Sequence, residues 1–431
     1  MSKVDVIKFA KKAKKALKIL INSEKQFVSY SRRIERIKTD RRICAMTFDD
    51  GPTKENSLTE TLLDILKKHS AKGTFDVIGT TVNNYPDTEG KISTPSWSGV
   101  KFDHYPSFNK DSLAGAVNCP DIIKRIIEEG HEITNHTYSH ILFGKKNFIY
   151  SNRTTLQNID EVYDDVNKLH SHLKESFGYE MRFSRPPHYV DKIKGGFSSY
   201  DVYSLMGYNY LAASFDGAGW LPLDSEEMEV KAMTEPLKKA LEENPNALAG
   251  QIIFQKDGYN MALRAPVLKG LDKQLEILKK YGYEVITVSE LLSESPFLDI
   301  GRDDPDFDIF AALNSKYAIA YKNNMLCPEK VMTRGELSML LSPKKESVDK
   351  RIELIKRKAT LPYSLKATHP YSSAMLWAID NSLLSPLNNK AYPDKSLTFE
   401  DISALGKFLD TDFLKSHELT RRNIFKSFIL K

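Results

Sequence analysis

The stretch that decides the fold is ICAMTFDDGP at residues 43–52, where an apolar run ends in two adjacent aspartates and a Gly-Pro pair. The apolar residues predict a buried strand, and the Gly-Pro pair predicts the turn that ends it. Asp49 and Asp50 therefore stand at the end of a strand. Adjacent carboxylates in that position repel each other unless a cation lies between them or they cap the turn. The residues alone leave a metal site and a capped turn open.

Outward from this strand, short apolar runs alternate with helical stretches as far as residue 292. Such alternation predicts an α/β domain with a parallel sheet, closed into a barrel or doubly wound, whose working residues follow the C-terminal ends of the strands. The stretch 83–118 is too long for a plain connection and predicts an inserted loop. Further strands are predicted at 74–78, 132–135, 182–184, 210–215, 251–254 and 284–288. Helices are predicted at 58–69, 120–129, 159–175, 226–243 and 265–281.

The composition is that of a globular protein, with 41% hydrophobic and 28% charged residues in a chain of 431. That length predicts more than one domain. The net charge of +5 is unevenly spread, because Lys and Arg outnumber Asp and Glu by 14 to 4 over residues 1–42. This pattern excludes a globally basic nucleic-acid-binding protein, and no apolar run is long enough for a transmembrane segment. The three scattered cysteines exclude a disulfide framework.

The N-terminal segment, residues 1–40, is predicted to be basic, amphipathic and helical. Apolar residues recur at helical spacing over 4–20, and lysines fill the other face. Such a helix either packs against the main domain or lies on an anionic membrane or polymer surface. Lysines interrupt every turn of it, so no secretory signal peptide is visible.

A second group of candidate residues is the segment His136-Thr-Tyr-Ser-His140. In a helix these histidines would lie one turn apart on the same side, where both can reach a single ion. Alone, the pair is a weak signal in a chain with ten histidines. Its occurrence at a second strand end, together with the paired aspartates at the first, favours a metal site over a capped turn.

Three motifs resemble those of the polysaccharide deacetylase family, which is carbohydrate esterase family 4 with the NodB homology domain. They are TFDDGP at 47–52, GHEITNHTYSH at 130–140 and RFSRPPHYV at 182–190. The resemblance covers residues 41–292 and implies a distorted (β/α) barrel, which we assign to residues 41–294. It also implies a metal-dependent hydrolase of linear amides. The substrate would be an N-acetylhexosamine-containing polysaccharide, such as peptidoglycan or a chitin-like glycan.

The same resemblance implies roles for individual residues. Asp50, His136 and His140 would hold a divalent metal, zinc in the first place, with cobalt and nickel as alternatives. Asp49 would be the general base that takes a proton from a water polarised by the metal. Arg185 would pair with Asp49 and keep it ionised.

Further roles concern the substrate. The backbone N–H of His188 would stabilise the oxyanion, together with the metal. Tyr138 and Trp220 are candidates for stacking on sugar rings, and each is equally well explained as a core residue.

The acid side of the site departs from the family pattern at two positions. Lys256, in GQIIFQKDG at 250–258, stands where the family has a histidine that protonates the leaving amine. Gly219 replaces the aspartate that precedes the tryptophan. A lysine titrates near ~10.4, too high for a good acid unless burial and a metal lower its pKa. Two interpretations follow: a deacetylase with Lys256 as an altered acid and reduced activity, or a non-catalytic, metal-holding glycan-binding protein.

Residues 295–431 predict a mostly α-helical domain with two internal repeats, at 297–342 and 361–410. Pro328 precedes MTRGE at 332–336 in the first repeat, and Pro393 precedes LTFE at 397–400 in the second. The repeats resemble S-layer homology modules, which implies attachment to an anionic cell-wall polymer. An ordinary helical domain and a wall-attached scaffold with a vestigial barrel are the alternatives. Wall attachment favours the cell surface, whereas the missing export signal leaves the location open.

Overall fold

A computed structural model describes residues 27–80, 113–145, 154–260 and 264–428. The predicted helix at 4–20 and most of the predicted loop at 83–118 lie outside these residues. The chain divides into two compact units by its internal contacts. The described part of the first unit lies within Ile34–Val202 and Tyr210–Glu294. The second unit consists of Lys25–Arg33, Tyr203–Asn209 and Ser295–Lys431, of which the structure describes the residues from Phe27 to Phe428.

The first unit is built on a nine-stranded sheet. The first five strands in chain order are β1 (Arg33–Ile34), β2 (Ile43–Asp49), β3 (Thr74–Val77), β4 (Glu132–Asn135) and β5 (Phe183–Ser184). The next two, β6 (Lys192–Ile193) and β7 (Phe197–Ser198), form an antiparallel pair outside the sheet. The last four strands of the sheet are β8 (Asn209–Leu211), β9 (Phe215–Asp216), β10 (Ile252–Lys256) and β11 (Glu284–Ile286). The order is β1-β8-β5-β4-β3-β2-β10-β9, and β11 pairs with the first half of β2. The pairings from β5 to β9 along this order are parallel.

Helices follow most of these strands. They are α1 (Leu58–Lys68), α2 (Pro120–Glu128), α3 (Ile159–Phe177), α4 (Ser199–Met206), α5 (Glu226–Glu243), α6 (Val267–Lys280) and α7 (Val288–Glu294). Each long helix turns an apolar face inward, as α1 does with Leu62, Leu63 and Leu66. The predicted α/β class with a parallel, barrel-like sheet is confirmed. Within the described residues the edge strands β1 and β9 do not pair, so the barrel is incomplete.

The central strand β2 explains why the opening stretch decides the fold. All seven of its residues are buried, and it pairs with β10 on one side and with β3 and β11 on the other. Asp49 at its end lies opposite Asp76 of β3 and Lys256 of β10. Because the strands are parallel, their C-terminal ends meet at one edge of the sheet, where the candidate residues gather.

Two predicted strands end differently from the sequence-based expectation. The predicted strand 210–215 is two short strands, β8 and β9, because the backbone changes partners between them. Ala212 donates its N–H to Ile34, whereas Ser214 donates to Ile252. The predicted strand 284–288 stops earlier, because Thr287 and Glu290 form reciprocal hydrogen bonds that start α7.

The predicted helical character of residues 1–40 is wrong for its described part. Residues 27–40 contain an isolated β-bridge at Val28 and the strand β1. The side chains of Ser31, Arg33 and Ile34 are buried. The backbone of Ile34 accepts a hydrogen bond from Ala212 and so joins the sheet instead of coiling.

The second unit is mainly helical, as predicted. A continuous apolar core, which includes Phe297, Phe310, Leu337 and Met375, lies among its helices. The helices are α8 (Phe307–Lys316), α9 (Arg334–Leu341), α10 (Lys344–Lys356), α11 (Ser372–Asp380), α12 (Phe399–Ile402), α13 (Thr411–Lys415) and α14 (Arg421–Lys426). None of the helices in the described ranges combines the length and apolar character that crossing a bilayer requires.

The repeat motifs of the second unit are helix starts. Thr333 and Thr398 begin α9 and α12 through reciprocal hydrogen bonds with the acidic residue three positions later. Thr420, in the sequence Leu-Thr-Arg that the repeat analysis did not count, begins α14 by accepting the backbone N–H of Asn423. Arg334 is fully buried, where it pairs with Asp401 and donates to the carbonyl oxygen of Ala391. The arginine of the first repeat therefore stabilises the unit and is not exposed for a polymer.

Candidate metal centre

Asp49 and Asp50 diverge at the end of β2. Asp49 is the last residue of the strand and is 5% exposed. Asp50 follows with a φ of 78°, in the left-handed region that aspartate tolerates better than most residues. This change of backbone direction sends the two carboxylates of adjacent residues to different partners.

The two histidines are brought together by a loop and not by a helix, which corrects the helical interpretation of their spacing. Thr137 and His140 both have a positive φ, at 73° and 53°. The loop is held by side chains, because Asn135 accepts the N–H of Thr137 at 2.9 Å and Asp165 accepts that of Tyr138 at 3.0 Å. Asp165 lies in α3, so a helix distant in sequence fixes the histidine loop.

Asp50, His136 and His140 converge as predicted. Oδ1 of Asp50 lies 3.1 Å from Nε2 of His136 and 3.1 Å from Nε2 of His140. The three ligand atoms lie within 4.8 Å of one another, close enough to share one ion. Two imidazole nitrogens and one carboxylate oxygen form the donor set that catalytic zinc sites use. These residues therefore fit a divalent cation.

The electrostatics of the cluster are set by closely spaced groups of opposite charge. Although burial acts to raise it, Lys256 and His140 lower the pKa of Asp50 well below its usual value. Burial acts to lower the pKa of His136, but Asp76 and Asp49 raise it well above its usual value. Carboxylates thus dominate the surroundings of His136.

Arg185 holds Asp49 in place. The guanidinium is completely buried, and its Nη1 donates to Oδ1 of Asp49. Its Nη2 donates to Oγ1 of Thr47 at 3.0 Å, and its Nε donates to the carbonyl oxygen of Leu211 at 3.3 Å. Oδ2 of Asp49 lies 3.8 Å from Nε2 of His136. Burial raises the pKa of Asp49 to about 7, against the lowering effect of Arg185 and His136. Asp49 is therefore an oriented carboxylate with one oxygen facing His136.

Lys256 ends β10 and forms an ion pair with Oδ2 of Asp50. Its side chain is 21% exposed, so the ammonium lies at the boundary between the site and solvent. Gly219 has other neighbours: a side chain there would first meet Gln255, Met233 and Val267. The two positions that depart from the family pattern, Lys256 and Gly219, therefore have different neighbours. Of the two, Lys256 contacts a proposed metal ligand.

The remaining candidates have separate positions. His188 is exposed, in a short 3₁₀ turn, with its ring centroid 5.8 Å from that of His140. Tyr138 is half-buried, and Nζ of Lys168 lies 4.0 Å from its ring centroid. The indole N–H of Trp220 donates to the carboxylate of Asp216, 3.1 Å from Oδ1. The structure places His188 beside the candidate ligand His140 and shows Tyr138 and Trp220 in contact with other side chains.

Two buried carboxylates were missed by the sequence analysis. Asp76 in β3 and Asp257 just after β10 are both completely buried. Each accepts a hydrogen bond from a threonine on one oxygen, Asp76 from Thr134 and Asp257 from Thr59. The register of β2 and β3 puts Asp76 opposite Asp49 on the same face of the sheet, and alternation within either strand alone does not reveal this.

The candidate base, its arginine and the three candidate ligands all lie within residues 36–192. That range matches the sequence model of the family described as Polysaccharide deacetylase. The comparisons support a polysaccharide deacetylase domain here. Lys256 and all segments of the second unit lie outside this match.

Two curated relatives act on peptidoglycan according to their names. The peptidoglycan-N-acetylglucosamine deacetylase of Listeria monocytogenes is 27% identical over 269 residues, which are 62% of this chain and 42% of that protein. The peptidoglycan-N-acetylmuramic acid deacetylase of Bacillus subtilis is 25% identical over 289 residues, 67% of this chain and 47% of that protein. The chain thus spans less than half the length of these relatives. Among solved structures, a family 4 pseudoenzyme from Bacillus anthracis is 16% identical with a TM-score of 0.40, over 60% of this chain and 68% of that one.

Proposed function

We propose that the deacetylase domain hydrolyses the N-acetyl amide of N-acetylhexosamine units in a polysaccharide, such as peptidoglycan or a chitin-like glycan. The observation that carries this proposal is the convergence of Asp50, His136 and His140 beside an oriented, buried Asp49. The names of the curated relatives support the substrate class, since both act on N-acetylated sugars of peptidoglycan.

A divalent cation would be held by Asp50, His136 and His140, with zinc preferred and cobalt or nickel as alternatives. Bound there, it would polarise the attacking water and the carbonyl oxygen of the acetamide. The proton transfers are carried out by side chains of the protein. Asp49 accepts a proton from the attacking water, and Arg185 holds its carboxylate in the orientation that this transfer needs.

The products follow from the bonds that change. The water oxygen adds to the acetamide carbon, the C–N bond breaks, acetate leaves, and the sugar nitrogen takes up a proton to become an amine. The backbone N–H of His188 is proposed to donate to the carbonyl oxygen as it gains negative charge. Lys256, which lies on the other oxygen of Asp50, is proposed to supply the proton to the leaving nitrogen. Tyr138 and Trp220 remain proposed contacts for the sugar rings.

Acetate release by the full chain tests the proposal directly. With N-acetylglucosamine oligomers or peptidoglycan as substrate, we expect release when zinc, cobalt or nickel is added. We expect it to stop on chelation and to return when the metal is restored. Binding of the metal without turnover in any of the three would instead support the non-catalytic, glycan-binding alternative.

Lys256→Met provides a sharper test of the acid side. Methionine keeps an unbranched apolar stem but cannot donate a proton, so kcat is expected to fall about 10²–10⁴-fold. Lys256→His, which restores an imidazole acid, is the matched variant and is expected to retain much more of the rate. Metal content measured in both variants controls for the lost contact with Asp50. An unchanged kcat in Lys256→Met would remove the lysine from the mechanism.

For the second unit we propose the role implied by its likeness to S-layer homology modules, which is attachment to an anionic cell-wall polymer. Three threonine-started helices support a repeated architecture, at Thr333, Thr398 and Thr420. Because Arg334 is buried, any polymer contact at the first repeat falls to other side chains.

A further inference from the structure

Asp76 is the feature of the metal centre that the proposed mechanism does not use. It lies in one row across four neighbouring parallel strands, with Thr134 on one side and Asp49, then Lys256, on the other. Residues in one such row project from the same face of a sheet. Asp76 is completely buried, a costly place for a carboxylate unless it is paired.

The two oxygens of Asp76 have different surroundings. Oδ1 accepts the hydroxyl of Thr134 at 2.6 Å. Oδ2 has no hydrogen-bond partner of good geometry among the described residues. It lies instead 3.3 Å from Nδ1 of His136 and 3.8 Å from Nε of Arg185. The hydroxyl therefore fixes the rotation of the carboxylate, and its second oxygen faces two functional groups of the site.

The contacts of His136 define the orientation of its imidazole. Nδ1 lies 2.8 Å from the carbonyl oxygen of Arg185 and 3.3 Å from Oδ2 of Asp76. Both of these neighbours accept hydrogen bonds, so the proton of the neutral ring belongs on Nδ1. Nε2 then presents its lone pair on the side of Asp50, whose Oδ1 is 3.1 Å away. A carboxylate behind a histidine in this way orients the ring and strengthens it as a metal ligand.

Arg185 also lies next to Asp76. Its Nη1 donates to Asp49 while its Nε faces Asp76, so a carboxylate lies at each end of the guanidinium. The charge of Asp76 therefore acts on both halves of the site, through His136 on the metal ligands and through Arg185 on the base. This arrangement explains why a buried carboxylate is tolerated there.

We propose that Asp76 is a positioning residue, which holds the imidazole of His136 in its metal-binding orientation and steadies Arg185 beside Asp49. The inference rests on the proposed function, because it assigns Asp76 to the same metal centre. Asp76 acts only through other side chains and does not itself contact the substrate.

Metal affinity of the full chain tests this role without requiring turnover. Asp76→Asn keeps the shape of the side chain and an oxygen for Thr134 but removes the charge. Its affinity for zinc, measured by competition with a chromophoric chelator, is expected to fall about 10–100-fold. At saturating cobalt, the visible absorption bands are expected to shift, because the ligand geometry around His136 changes.

Asp257→Asn is the matched control. Asp257 is equally buried, is held by Thr59 at 2.7 Å as Asp76 is by Thr134, and has a second oxygen without a hydrogen-bond partner in the described part of the chain. Its variant is expected to keep nearly the wild-type affinity. An equal loss in both variants would overturn the proposal, and so would unchanged affinity and spectrum in Asp76→Asn.

Two further outcomes are distinguishable. If Asp76→Asn loses its far-ultraviolet circular dichroism, the variant is unfolded, and the affinity is measured on Thr134→Val instead. Valine removes the hydroxyl that donates to Asp76 but leaves the charge of Asp76 in place. An affinity about 2–10-fold weaker, the effect of one hydrogen bond, is then expected, and no change overturns the proposal. A wild-type chain that binds neither zinc nor cobalt would overturn the proposed function itself, a result seen before any variant is compared.

Discussion

Replacement of Asp49 by asparagine is expected to lower kcat/KM for acetate release about 10²–10⁴-fold while the metal stays bound. The amide keeps the size of the side chain and an oxygen that accepts from Nη1 of Arg185, so the fold should be preserved. It cannot accept the proton of the attacking water. The oxygen lost as a base is the one 3.8 Å from Nε2 of His136, next to the proposed ligands.

The matched comparison for this variant is Asp50→Asn, one residue later. Asp50 is the proposed ligand, so its variant should lose both metal and activity, whereas Asp49→Asn should lose activity alone. Metal content by elemental analysis and acetate release under the same conditions separate the two. If Asp49→Asn kept the wild-type rate, Asp49 would not be the base, whatever its position.

Much of the fold could be predicted because burial and periodicity agree in its central elements. β3, β4 and α5 appear in the structure within a residue of their predicted bounds. The errors lie where the backbone hydrogen-bond partner determines the bounds of a strand. The segment 210–215 reads as one apolar strand, but its halves bond to different neighbours, which no local pattern encodes.

The site was predictable as a set of residue types but not as a geometry. Spacing suggested that His136 and His140 share a helical face, whereas a loop held by Asn135 and Asp165 brings them together. Asp76 was overlooked because a carboxylate inside a strand looks like a surface residue until pairing shows what it faces. Its distance from His136 in the sequence hides the contact.

Replacement of Arg185 by methionine is expected to destabilise the first unit by about 3–5 kcal/mol, the usual effect of removing one partner of a buried ion pair. Methionine fills part of the volume but leaves Asp49 and Asp76 with less compensating charge, at positions 5% and 0% exposed. The hydrogen bonds to Thr47 and to the carbonyl oxygen of Leu211 are lost as well. The measurement is the free energy of unfolding of this unit in the full chain, followed by hydrogen exchange of the β2 and β5 amides.

Arg182→Met is the control for this change, because Arg182 is exposed and lies three residues earlier in the same segment. The same chemical change there should alter the free energy of unfolding by no more than about 0.5 kcal/mol. Arg185→Lys should fall between the two, since it keeps a positive charge but loses the planar fork that reaches Asp49, Thr47 and Leu211 together. Equal stabilities for Arg185→Met and Arg182→Met would contradict a structural role for the buried pair. The large difference is expected because Arg185, unlike Arg182, joins Asp49, Asp76 and the sheet backbone in one buried network.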